Sequence, residues 1–191
     1  MDEERGIWNL GVIMKLFKIS IIVAYSLLSL LMTSIAMGDE ITERGYIVKV
    51  GDPCPDFSIE LIDGKTVTLE ELKGQIIMLQ FTASWCSVCR REMPFIESDI
   101  WLPYKDKGLV LIGVDRDEPL ETVLNFVSEM KITYSLGLDP DANIFQKFAH
   151  KEAGVTRNII IDKNGKIVFL TRLFEEEEFN SMVAVISDLL D

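Results

Sequence analysis

Cys86 and Cys89 stand three residues apart within residues 81–92, FTASWCSVCRRE, behind Trp85 and ahead of Arg90 and Arg91. Two thiols at this spacing can exchange a small disulfide, contribute half of a metal site, or act as a structural staple. A zinc site needs two more soft or imidazole ligands. Cys54 and His150 are the only candidates, and neither stands at a knuckle spacing. Haem attachment asks for histidine directly after the second cysteine, and position 90 is arginine. A disulfide closing so short a loop stabilises little. Redox exchange is the chemistry that the pair fits best.

Position supplies the mechanism. The apolar run 76–81 (IIMLQF) reads as a strand and residues 86–101 as a helix, so the cysteines fall where a strand ends and a helix begins. A helix N-terminus presents free N–H groups and the positive end of the dipole, which stabilise a thiolate at Cys86. Cys89 lies one turn further in. The outer thiolate attacks a substrate disulfide and the inner thiol resolves the mixed disulfide. Glu92 is one helical turn beyond Cys89, close enough for the two to approach. Cys54 has no partner at a redox or knuckle spacing. The pair Arg90 and Arg91 read as solvated surface, and the lone His150, ahead of the Gly154 loop and toward the active face, is not read as catalytic.

The elements that must position these groups follow from pattern. Residues 57–62 and 65–69 flank Asp63-Gly64, a hairpin turn signature. Pro94 interrupts the cysteine helix and predicts a kink. Residues 109–114 (LVLIGV) form a second central strand. Leu120, Val123, Leu124, Val127 and Met130 recur at helical spacing behind Pro119. A third strand is expected over 131–136 and a helix over 142–149. Residues 159–161 and 167–170 flank a turn at 162–165. The last helix starts near Glu175 and buries Phe179, Met182, Val183, Ile186 and Leu190, with Glu175 to Glu178 at its positive end. The order predicts an α/β domain with parallel central strands and an antiparallel edge pair.

Composition narrows the partners. The chain has 191 residues, a net charge of −12 and only three cysteines. So acidic a surface disfavours nucleic acid. Residues 19–37 form an uncharged apolar run after Lys15 and Lys18, with small residues at its end. This is a secretory signal over residues 1–38, or alternatively a membrane anchor. Met14 is the expected translation start, because residues 1–13 carry acidic charge where a signal is basic. Residues 39–45 are a spacer and residues 46–191 the domain. Either reading of the N-terminus places the domain in an oxidising compartment such as the periplasm.

The stretches 51–57 (GDPCPDF), 81–94 (FTASWCSVCRREMP) and 161–167 (IDKNGKI) together resemble the TlpA/ResA-like extracytoplasmic thiol-disulfide oxidoreductases of the thioredoxin superfamily. The resemblance spans about residues 46–191. It implies a thioredoxin-like fold, a central mixed sheet flanked by helices, with an N-terminal hairpin extension. It implies that Cys86 is the exposed nucleophile, Cys89 the resolving thiol and Glu92 an acid that tunes the thiols or moves a proton. Trp85 would cover the disulfide, and Ser87, Val88, Thr156 and Arg157 would border the client. The resemblance also implies that Cys54 is buried apolar filler. It implies disulfide-containing client proteins and a membrane thiol donor, with apocytochrome c maturation as a use and with neither cofactor nor metal.

One position departs from that pattern. Thr156 stands where the family places a cis-proline, and a cis bond before a non-proline residue is unfavourable. The Val155–Thr156 bond is therefore expected to be trans. Its backbone edge would bind a client strand and its hydroxyl would add a donor near the thiolate. A peroxiredoxin pattern, P-x-x-x-T-x-x-C, fits poorly, because positions 79 and 83 are Leu and Ala. A thioredoxin-fold binding or chaperone-like module is the non-enzymatic alternative, although it has no need of two thiols at this place.

Overall fold

A computed structural model describes residues 44–190, and the expected signal or anchor and most of the spacer lie outside the described residues. Among the described residues no helix is long and apolar enough to cross a membrane. The unit Gly45–Asp191 is organised around one seven-stranded sheet. Its strands are β1 (Ser58–Leu61), β2 (Thr66–Thr68), β3 (Ile76–Thr82), β4 (Leu109–Arg116), β5 (Ser135–Asp139), β6 (Arg157–Ile161) and β7 (Ile167–Arg172). Across the sheet they run β2-β1-β5-β4-β3-β6-β7.

β3 is buried at every position, as a strand covered on both faces must be. It pairs in parallel with β4, and β4 in parallel with β5. β6 runs antiparallel to β3, and the hairpin partner β7 extends that side. The first hairpin joins the opposite side, where β1 pairs antiparallel with β5. The sheet is therefore the mixed, thioredoxin-like one expected. Helices α1 (Ser87–Phe95), α2 (Leu120–Met130) and α3 (Glu176–Leu190) connect or flank the strands.

Several boundaries differ from the expectation for local reasons. The cysteine helix holds α geometry through Pro94 and Phe95, then widens into a π-helical turn at Ile96–Trp101. Proline supplies no N–H to the helix, and a register change follows it. The third strand begins at Ser135, because Lys131 closes α2 in the left-handed conformation and residues 132–134 form the link. α2 buries Val123 and Phe126, while Leu120 and Leu124 stay exposed.

No α-helix forms over 142–149. Two short 3-10 turns, Pro140–Ala142 and Phe145–Lys147, stand there instead. Asp141 and Ala142 have positive φ, and the Asp139 carboxylate accepts the N–H groups of Ile144 (2.7 Å) and Phe145 (2.8 Å). A side chain that captures those donors offers the backbone an alternative to helix. α3 buries Phe179, Met182 and Ile186, whereas Val183 and Leu190 are only half-buried.

Candidate redox site

β3 ends at Thr82, and the turn 83–86 closes with the Cys86 N–H donating to the Ala83 carbonyl at 3.1 Å. Cys86 then caps α1. Its backbone is extended (φ −84°, ψ 106°) and its Sγ accepts the Cys89 N–H at 3.1 Å. The sulfur thus takes the place of a capping oxygen, at the end of the helix where a negative charge is favoured. Cys86 and Cys89 are joined as a disulfide with their Cα atoms 5.3 Å apart.

Cys86 is less open than an exposed nucleophile. It keeps 5% of its surface and Cys89 keeps none. Its sulfur is engaged twice, by the bond to Cys89 and by the Cys89 N–H it accepts. Trp85, next to Cys86 in the chain, leaves 63% of its surface in solvent. Ser87 is exposed and Val88 half-buried.

The turn before Cys86 is held by charge. Glu118 accepts the Ser84 N–H and Oγ–H, each at 2.5 Å. Arg90 donates its Nε–H to the Ser84 carbonyl at 2.6 Å, reaches Glu129 at 2.9 Å, and lies over the Phe126 ring. Arg90 is therefore a structural clamp, and Arg91 is exposed as expected.

Glu92 shares the buried face of α1 with Cys89. Its carboxylate accepts from Thr156 Oγ1 (2.9 Å), Asn158 Nδ2 (2.6 Å) and Gln80 Nε2 (3.4 Å). Tyr134 donates to Gln80 Oε1 at 2.8 Å and completes the chain. Burial pushes the Glu92 carboxyl up from 4.5 to about 7, against the three donors that pull it down. A carboxyl poised near neutrality can take a proton from a thiol and return it.

Gln80, Asn158 and Tyr134 were not among the residues expected from sequence. The available signal was a polar residue set inside an otherwise apolar strand, QF in IIMLQF and RN before III.

Thr156 and Arg157 occupy different roles from those expected. The Val155–Thr156 bond is cis, not trans. Tertiary contacts of Thr156 outweigh the preference of the residue type there. The Thr156 carbonyl accepts the Leu173 N–H at 3.2 Å, and β6 begins at the next residue. The Thr156 hydroxyl is spent on Glu92 and is not a donor to the thiolate. Arg157 pairs with Phe81 on one side and Arg172 on the other, so β6 has no open edge there for an added strand. Its guanidinium is fully buried over Tyr46, with Nε donating to the Gly154 carbonyl. Arg157 therefore does not border a client.

Cys54 is a buried free thiol whose Sγ–H faces the Pro55 carbonyl at 3.4 Å. Burial and the Asp56 charge push it up to about 12, so it is not a nucleophile at neutral pH. His150 is exposed on a loop.

Residues 50–170 match the family model described as the AhpC/TSA family. Among curated proteins, a thiol-disulfide oxidoreductase ResA from Oceanobacillus iheyensis is 32% identical over 136 residues, 69% of each chain. Another ResA, from Bacillus cereus, is 31% identical over 121 residues, 63% of this chain and 68% of the other. Among solved structures, a candidate protein disulfide isomerase from Bacteroides thetaiotaomicron is 61% identical with a TM-score of 0.75, covering 76% of this chain and 92% of its own. A candidate thiol:disulfide interchange protein DsbE from Chlorobium tepidum is 25% identical with a TM-score of 0.67, covering 75% and 99%.

Proposed function

Since this chain belongs to the AhpC/TSA family and is a thiol-disulfide oxidoreductase with ResA proteins among its relatives, we propose that it reduces disulfides of extracytoplasmic proteins. The observation that carries this reading is a Cys-x-x-Cys disulfide at a helix N-terminus with a buried carboxyl, Glu92, one turn behind it.

In the reduced protein the Cys86 thiolate attacks one sulfur of a client disulfide. A Cys86–client disulfide forms and the client's other sulfur leaves as a thiolate that takes a proton. Glu92 accepts the proton of the Cys89 thiol. Cys89 then attacks the Cys86 sulfur, the Cys86–Cys89 bond forms, and the second client sulfur leaves. Two electrons have passed to the client, and a membrane dithiol donor restores the pair. The client docks over exposed Trp85 and Ser87 and half-buried Val88, beside the disulfide. The apolar run 19–37 directs the domain out of the cytoplasm, by a cleaved signal or as an anchor. Keeping apocytochrome c thiols reduced is a use that fits this direction.

The reduction potential tests the direction. The pair is equilibrated in graded glutathione or dithiothreitol buffers and its thiols are counted. A potential near or below about −220 mV is expected for a reductant, and one near about −120 mV would make the protein a disulfide donor instead. Absence of any two-electron transition would leave only a binding module.

A further inference from the structure

Asp115 closes the site from behind. It is the seventh residue of β4, and the parallel register sets it beside Thr82, the last residue of β3 before the turn 83–86. It is fully buried, and neither carboxylate oxygen receives a hydrogen bond from any donor among the described residues. A buried carboxylate without a donor is among the costliest arrangements a fold can hold.

The charged groups around it are otherwise engaged. On α1, Arg90 serves Ser84 and Glu129. Next along β4, Arg116 donates to the carbonyls of Ala153 and Lys151 and stacks on Phe145. On β5, Asp139 accepts from Ile144 and Phe145, and Asp117 bears on Asp139. The group that does reach Asp115 is Glu118, another carboxyl.

Two carboxyls hydrogen-bond only when one carries a proton. Glu118 cannot conveniently be the protonated one, because both of its oxygens already accept from Ser84. A proton shared between the two carboxyls would therefore sit on Asp115, with its O–H toward Glu118. We propose that Asp115 is a positioning residue for Cys86: as a neutral acid it holds Glu118 in place, Glu118 clamps Ser84, and Ser84 fixes the turn that presents the nucleophile. The assignment deepens the reading of Cys86 as nucleophile and rests on it.

Burial first, and then the Glu118 charge, raise Asp115 from 3.8 to about 8. A neutral Asp115 also keeps a second negative charge away from the turn, where it would oppose the Cys86 thiolate. By reciprocity, formation of that thiolate makes Asp115 harder to ionise.

The test follows the Asp115 carboxyl carbon and the Ser84 amide by NMR, from about pH 4 to 10, in oxidised and reduced protein isolated from cells fed 13C-labelled aspartate. Asp115 should titrate above about pH 6, with the Ser84 amide following at the same midpoint. Its proton affinity should rise at least about twofold on reduction, a change that a merely structural carboxyl would not show. Two variants supply a second readout. Asp115→Asn, whose amide donates to Glu118 at any pH, should keep the Cys86 alkylation rate at pH 7 within about twofold of wild type. Asp115→Leu, similar in shape without a donor, should lower it about fivefold. Ionisation of Asp115 below about pH 5, a midpoint indifferent to redox state, or equal rates in the two variants would each overturn the assignment. If Asp115→Leu does not fold, the wild-type titrations still decide. If the cysteine pair shows no two-electron transition, the catalytic reading falls by itself, while the shared Asp115–Ser84 midpoint still reports on the clamp.

Discussion

Glu92 sits between two opposing forces. Burial favours its neutral form, and Thr156, Asn158 and Gln80 favour its anion. Burial wins, and the sign of the consequence follows. The unfolded chain releases this proton near 4.5 while the folded protein keeps it to about 7. The contribution to stability is full below 4.5 and is lost as pH rises through about 7, a span worth about 3 kcal/mol. Glu92→Gln should flatten that decline, leaving the slope owed to Asp115. Urea unfolding of the oxidised protein at several pH values between about 4 and 8 checks it, and an unchanged slope would mean that Glu92 ionises normally. At this scale the cysteines and Glu92 were legible, because spacing along one helix is written directly in sequence. Thr156, Asn158 and Gln80 meet Glu92 from positions 12 to 66 residues away, and no local pattern reports such a meeting. Arg157 was misread for the same reason. Its guanidinium is buried over Tyr46, a residue 111 positions earlier in the chain.

At the scale of elements, β3 was the easiest to find and is the most consequential. Its buried run delivers Thr82 to the turn and Gln80 to Glu92. Strands and helices with a strong period were found to within a few residues. The third strand and the 142–149 segment were not. Each is governed by a single backbone or side-chain contact, Lys131 in the left-handed region and Asp139 on two N–H groups, that outweighs propensity. The addition of the first hairpin to the β5 side of the sheet also depends on one position. A Cβ at Gly137 would lie 2.1 Å from the Ile59 Cγ2 and 3.2 Å from the Glu60 carbonyl. Ile59 is fully buried and β1 is paired there, so neither can easily withdraw. Gly137→Ala should cost about 1–3 kcal/mol in chemical denaturation, the usual toll of overpacking. The potential of the cysteine pair should stay unchanged. A variant as stable as wild type would show that β1 can lift from β5.

On the scale of the whole molecule, net charge should bias which clients of the proposed reaction approach the site. The chain carries −12, and its acidic groups include Glu118 and Glu129, which hold the turn and Arg90 beside the cysteines. Long-range attraction raises encounter rates with oppositely charged partners and fades as salt shortens the screening length to about 8–10 Å. The docking proposed over Trp85 would be apolar and insensitive to salt, whereas approach to the site would be electrostatic. Two disulfide peptides of equal length, one with flanking lysines and one with flanking glutamates, should therefore differ in their rate of reduction. The basic peptide should react about tenfold faster at low ionic strength, with the ratio falling toward unity near 1 M salt, where screening acts within about 3 Å. The turnover step at saturating peptide should change little, because the charge acts before Cys86 reaches the disulfide. A preference that persisted in high salt would place the selectivity in short-range contacts around Ser87 and Val88. Equal rates at low salt would mean that Arg90 and Arg91, on the helix that carries the cysteines, cancel the field of the rest of the protein at the one place where the client arrives.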